Sequence, residues 1–78
     1  KLSYKDQREL DRLPTELEEL EASIEALQNE VSEPDFYSQD HEHVQARLRD
    51  LAAAEELLEQ RIERWSELET LQTSFRSE

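Results

Sequence analysis

Four cations, Lys1, Lys5, Arg8 and Arg12, recur at spacings of four, three and four, which on a helix places all of them on one face. Ammonium and guanidinium groups aligned in this way can neutralise phosphates. Arg61 and Arg64 form a second basic pair, one helical turn apart. Other chemically capable residues are less organised. His41 and His43 stand two apart, so a helix sends them to different faces, and the four-residue spacing of a helical histidine metal pair is absent. Carboxylates are plentiful, but no apolar pocket is signalled that could tune an acid and a base apart. With no cysteine, neither a disulfide scaffold nor a thiolate metal site can form, and the redox compartment is left open. We therefore assign no catalytic residue, no metal ligand and no cofactor-binding residue.

Charge is unevenly distributed along the chain, whose formal net charge is −12. Residues 13 to 46 carry ten carboxylates and no lysine or arginine, whereas residues 1 to 12 carry four bases against three acids. Seven of the nine basic residues lie before Leu13 or after Gln60. A solvated surface with some pairing, such as Lys5 with Glu9 or Arg12 with Glu16, is the plainer account of this pattern. The sharper one is a basic patch on an acidic rod, able to face phosphates while the shaft is held away from them.

The elements that would carry these charges follow from the leucines. Leu10, Leu13, Leu17, Leu20, Ile24, Leu27 and Val31 keep an unbroken 3-4 spacing, the seam of a coiled coil. Val44, Leu48, Leu51, Leu58, Ile62 and Trp65 form a second set, with Glu55 in the remaining slot. Read in opposite directions the two sets pair from 31 with 44 to 10 with 65 about a single mirror point between residues 37 and 38. This predicts an all-α fold: an intramolecular antiparallel two-helix coiled-coil hairpin, monomeric because its seam already covers both apolar faces. The register puts Glu55 opposite Leu20 and Trp65 in the layer of Leu10.

Pro14 lacks a backbone N–H and disfavours helical geometry in the residue before it, so a short N-terminal helix or kink is expected before it. Pro34 stops the first long helix, and Asp40 can cap the second. The expected organisation is a single domain, 1–78, with a basic N-terminal helix at 1–12 and the first coiled-coil helix at 14–32. A tip loop at 33–40, the second coiled-coil helix at 41–74 and a tail at 75–78 complete it. Phe36 and Tyr37 should fold over the open end of the seam. Asp6 and Glu69, next in the mirror series, cannot form an apolar layer, so the seam should slip there and resume with Gln7 and Leu68, then Tyr4 and Leu71.

Composition supports this class. Glycine is absent, only two prolines occur, and 38% of the residues are charged. The turns of a β domain are therefore missing, and leucines kept in phase argue against disorder. No apolar run reaches the roughly 18 residues of a membrane span, and no signal peptide is visible. The start at Lys1 without methionine suggests a piece of a longer soluble protein.

The opening Lys1-Leu2-Ser3-Tyr4-Lys5, with Gln7-Arg8-Glu9-Leu10, Leu13-Pro14, Pro34-Asp35-Phe36-Tyr37, Glu63-Arg64-Trp65 and Leu68-Glu69, resembles the C-terminal coiled-coil domain of ABC-F ATPases. The likeness covers nearly the whole chain and departs from the family at 73–78. It implies a cytoplasmic parent protein with two ATP-binding cassettes, ATP and Mg as that parent's cofactors, association with ribosomes and translation, and a hairpin that binds DNA, branched DNA included. The fragment has no Gly-rich phosphate loop, so no enzymatic role and no cofactor are assigned to it. The first functional reading is a nucleic-acid-binding accessory domain contacting DNA phosphates through Lys1, Lys5, Arg8, Arg12, Arg61 and Arg64, with ribosomal RNA or the ribosome as the other candidate ligand. A structural or protein-docking arm of the ATPase is the alternative. A transfer-RNA-binding arm shares the hairpin shape but lacks the opening motif.

Overall fold

A computed structural model of the chain describes residues 1–76, and the side chains of residues 1–74. Two long antiparallel helices, α1 (Tyr4–Val31) and α2 (His41–Arg76), are joined by a tip with a 3-10 turn at Phe36–Ser38. The rod measures 59 × 16 × 16 Å, about the length expected of the 36-residue α2 at 1.5 Å per residue. Of the tail expected at 75–78, the first two residues continue α2, and 77 and 78 lie outside the described residues.

Ser3 starts α1. Its hydroxyl accepts a hydrogen bond from the Asp6 N–H (3.1 Å) and its carbonyl one from the Gln7 N–H (2.9 Å). The cap satisfies an orphan donor, and Asp6 places negative charge in the positive first turn. The expected division into separate helices at 1–12 and 14–32 is corrected: α1 runs through Pro14 as one helix, starting at Tyr4. Leu10 and Leu13 before the proline and Leu17 after it are all buried on one stripe. Packing that stripe against α2 outweighs the lost hydrogen bond.

The tip turns without glycine. Successive i to i+3 hydrogen bonds carry the chain round, from the Glu33 N–H to Glu30, Phe36 to Glu33, Ser38 to Asp35 and Gln39 to Phe36, at 3.0–3.2 Å. No described residue has positive φ, so no position demands glycine. Phe36 is fully buried in a turn that packs against both helices, as expected, whereas Tyr37 remains exposed with its ring edge-on to Phe36 at 5.0 Å. The Asp40 carbonyl accepts the first hydrogen bond of α2, from the Val44 N–H (3.0 Å).

The register expected for α2 holds at Val44, Leu48, Leu51, Leu58 and Trp65, all buried or half-buried, and fails between them. Glu55 is exposed and Ile62 is 46% exposed; Ala54 and Arg61 occupy the half-buried positions instead. A three-residue step from Leu51 to Ala54 follows the one from Leu48 to Leu51. The seam slips here, not at the base as expected. The reason is visible further along. Counting from Glu55 and Ile62, the next seam residue would be Glu69; counting from Ala54 and Arg61, it is Leu68, which is fully buried against Leu10 and Leu13, with Leu2 and Trp65 beside them. Full burial of a leucine contributes about 1.5–3 kcal/mol, and two unpaired carboxylates are kept in water. The expected meeting of Tyr4 with Leu71 does not occur: Tyr4 is 78% and Leu71 41% exposed.

Candidate nucleic-acid interface

Bringing Arg61 inward creates a demand for counter-charge, and α1 supplies it. Arg61 donates through Nη2 to Glu9 and through Nε to Glu16, both at 3.2 Å. Arg64 donates through Nε and Nη2 to Glu9 at 3.1–3.2 Å, to Asp6 at 3.3 Å and, one turn along its own helix, to Glu67 at 3.0 Å. The fork of each guanidinium allows it to satisfy several carboxylates at once. Glu9 is the hub. The hydrogen bond from Arg64 holds its carboxyl below the usual 4.5, against the opposing effect of partial burial, and Arg61 acts in the same direction. Arg64 is in turn raised, first by its hydrogen bond to Glu9.

A second clamp lies near the tip, and charge patterning alone did not reveal it. Arg47 grips both carboxylate oxygens of Glu30 at 2.8–3.1 Å and also reaches Asp50 at 3.0 Å. Its hydrogen bond lowers the Glu30 pKa, and His43 lies 3.7 Å away. Among the described residues no group of three or more histidine, cysteine, aspartate or glutamate side chains could hold a metal ion.

The arginine network changes what remains on the outer face of α1. Glu9 and Glu16, the natural partners of Lys5 and Arg12 one turn away, are turned to α2 instead. Lys1, Lys5 and Arg12 are exposed and have no ion pair among the described residues. Arg8, also exposed, donates to the Tyr4 hydroxyl at 3.4 Å. Tyr4, Lys5, Arg8 and Arg12 line a shallow groove on this face, bordered by Glu9 and Glu16. The helix thus brings three of the six residues singled out by charge, Lys5, Arg8 and Arg12, into one ridge; Lys1, expected on the same helical face, precedes the Ser3 cap and lies outside α1. Arg61 and Arg64 lie on the flank of the helix interface, committed to carboxylates.

The ridge lies at the base of the rod, and the stretch 13–46 that holds ten carboxylates without a lysine or arginine forms most of α1 and the tip. Screening at 0.1 M salt confines each charge to about 10 Å. A polyanion at the base is therefore largely spared repulsion from a tip tens of ångströms away. No helix of the described residues is long and apolar enough to cross a membrane.

The chain is similar to known proteins along most of its length. The ATP-binding protein Uup of Escherichia coli (strain K12) is 59% identical over 71 residues, covering 91% of this chain and 11% of that protein. The ATP-binding protein Uup and the Uup-like ATP-binding protein of Haemophilus influenzae (strain Rd) are each 52% identical over 69 residues, or 88% of this chain. This chain spans only 11–15% of the length of these relatives. A solved structure of the C-terminal domain of the Uup protein, a DNA-binding coiled-coil motif, superposes with a TM-score of 0.87 at 57% identity, covering 92% of this chain and 85% of that one. Residues 1–70 match the family model of the ABC transporter C-terminal domain, and the chain belongs to that family.

Proposed function

We propose that this hairpin is the DNA-binding accessory domain of a cytoplasmic ABC-F ATPase and that it contacts phosphates through Lys1, Lys5, Arg8 and Arg12. The observation that carries the reading is the release of Lys5 and Arg12 from their neighbouring carboxylates, since Arg61 and Arg64 hold Glu9 and Arg61 holds Glu16 in their stead. A cation with no ion pair meets a phosphate without first surrendering a partner. Arg61 and Arg64 hold the ridge against α2 and join a phosphate contact only by giving up Glu9. The solved Uup domain, a DNA-binding coiled coil, supports the choice of DNA. The relatives' description as ATP-binding proteins supports the ATPase parent.

Binding of this kind is weak and indifferent to sequence, because phosphates carry no sequence information. With two to four contacts, log K should fall by about 0.9 per contact for each log unit of salt on duplex DNA. Replacing Lys5, Arg8 and Arg12 together by glutamate should abolish binding and leave the helical spectrum intact, since all three side chains are exposed. Arg49→Glu, an equally exposed arginine near the acidic tip, should change binding little. A triple variant that binds like the parent would return the rod to the role of a structural or protein-docking arm, which its 59 Å length would also suit.

A further inference from the structure

Tyr4 takes no part in the hairpin core. At 78% exposure it is the most exposed of the large apolar side chains described, although an aromatic ring ordinarily gains by burial. It lies one helical turn before Arg8 and lines the same groove as Lys5, Arg8 and Arg12. The Arg8 guanidinium carbon lies 5.6 Å from the ring centroid, and the same side chain donates to the hydroxyl. The ring thus stands beside a cation and leaves most of its surface open to solvent. Tyr37, the other exposed aromatic, sits edge-on to Phe36 at the acidic tip, where a polyanion is repelled. Trp65 is half-buried against Leu10, Leu13 and Leu68. Among the described side chains, only at Tyr4 do aromatic exposure and unpaired positive charge coincide.

We propose that Tyr4 is a stacking platform for an unpaired nucleobase, so that the ridge favours strands with unpaired bases over closed duplex. This rests on the phosphate-binding reading above. In a duplex every internal base has both faces stacked on neighbours. An unpaired base offers a free π-face, and because every base has one, the contact is tolerant of sequence. Lys5, Arg8 and Arg12 hold the adjoining phosphates, and the ring takes the base next to them. The Arg8 contact with the ring and its hydroxyl restricts the ring's orientations, which lowers the entropy lost on stacking.

The test compares the 78-residue chain with Tyr4→Ala, Tyr4→Trp and the triple glutamate variant, titrated with a labelled thymidine homopolymer and a blunt duplex of equal length at two salt concentrations. The parent should bind the single strand more tightly. Tyr4→Ala should weaken single-strand binding by about fivefold to hundredfold and leave duplex affinity and its salt slope unchanged. Tyr4→Trp should retain it. Ring-proton resonances of Tyr4 should move upfield with the single strand and not with the duplex. A uridine homopolymer in parallel distinguishes DNA from RNA as the source of the base, and loss of binding on Tyr4→Ala with either supports the platform. Single-strand binding by Tyr4→Ala equal to the parent's, with loss of binding in the triple variant, overturns the platform and leaves the phosphate reading standing. Retained binding by the triple variant overturns both.

Discussion

Replacing Pro14 by alanine measures how far α1 behaves as a single helix. Pro14 lies inside α1 with an exposed side chain. It has no N–H to give the Leu10 carbonyl one turn back, and its ring crowds that carbonyl. In a helix interior, proline is less favourable than alanine by about 3 kcal/mol. Alanine also leaves the unfolded chain freer, which offsets about 0.4–1 kcal/mol of that gain. Because the proline faces solvent, no core contact is lost. The variant should be more stable by about 2 kcal/mol, a rise in melting midpoint of about 8–16 °C for a domain of this size. Thermal melts followed by far-ultraviolet circular dichroism would show it. An unchanged or lower midpoint would refute the reasoning, because the strain assigned to Pro14 would then be absent.

Two further substitutions test the seam and its flank. Leu68→Ala should cost about 2–5 kcal/mol, since it empties a fully buried position against Leu10 and Leu13, whereas Glu55→Leu, on the solvent face, should stay within about 0.5 kcal/mol. Equilibrium urea unfolding separates these outcomes, and a large gain from Glu55→Leu would return Glu55 to the layer of Leu20. For Glu9, whose folded carboxyl is held below 4.5, the contribution to stability is present above that value and is lost as pH falls through the depressed one. The difference in melting midpoint between the parent and Glu9→Gln should therefore be largest above about pH 5 and should close on acidification; a gap that widens toward acid would contradict the Arg64–Glu9 assignment.

The hairpin was legible because Leu10 to Val31 and Val44 to Trp65 share one mirror point, and a 3-4 spacing of leucines has few structural solutions. The seam of α2 was less so. Glu55 and Ile62 satisfied the heptad locally, and only the distant demand to bury Leu68 instead of Glu69 selected Ala54 and Arg61. Pro14 misled for a related reason: local backbone preference argued for a break, and packing on both sides of it prevailed. The basic stripe was readable from spacing alone. Its lack of ion pairs was not, since Lys5 with Glu9 and Arg12 with Glu16 are both well spaced for pairing. Arg61, drawn inward by the shifted seam, decides where Glu9 and Glu16 turn. The Glu30–Arg47 clamp lay in the flanks of the mirror register, where a search for opposite charges beside each apolar layer would have found it.

The engagement of Glu9 and Glu16 by α2 makes the free cations a property of the closed hairpin. If the base opens, Arg61 and Arg64 leave, and Lys5 and Arg12 regain carboxylate partners within one turn of their own helix. Closure and anion affinity are then thermodynamically linked: closing the base strengthens the grip on a polyanion by some factor, and a bound polyanion must favour closure by the same factor. Any force that splays the two helix ends apart would loosen the ligand, and a bound strand would resist that splaying.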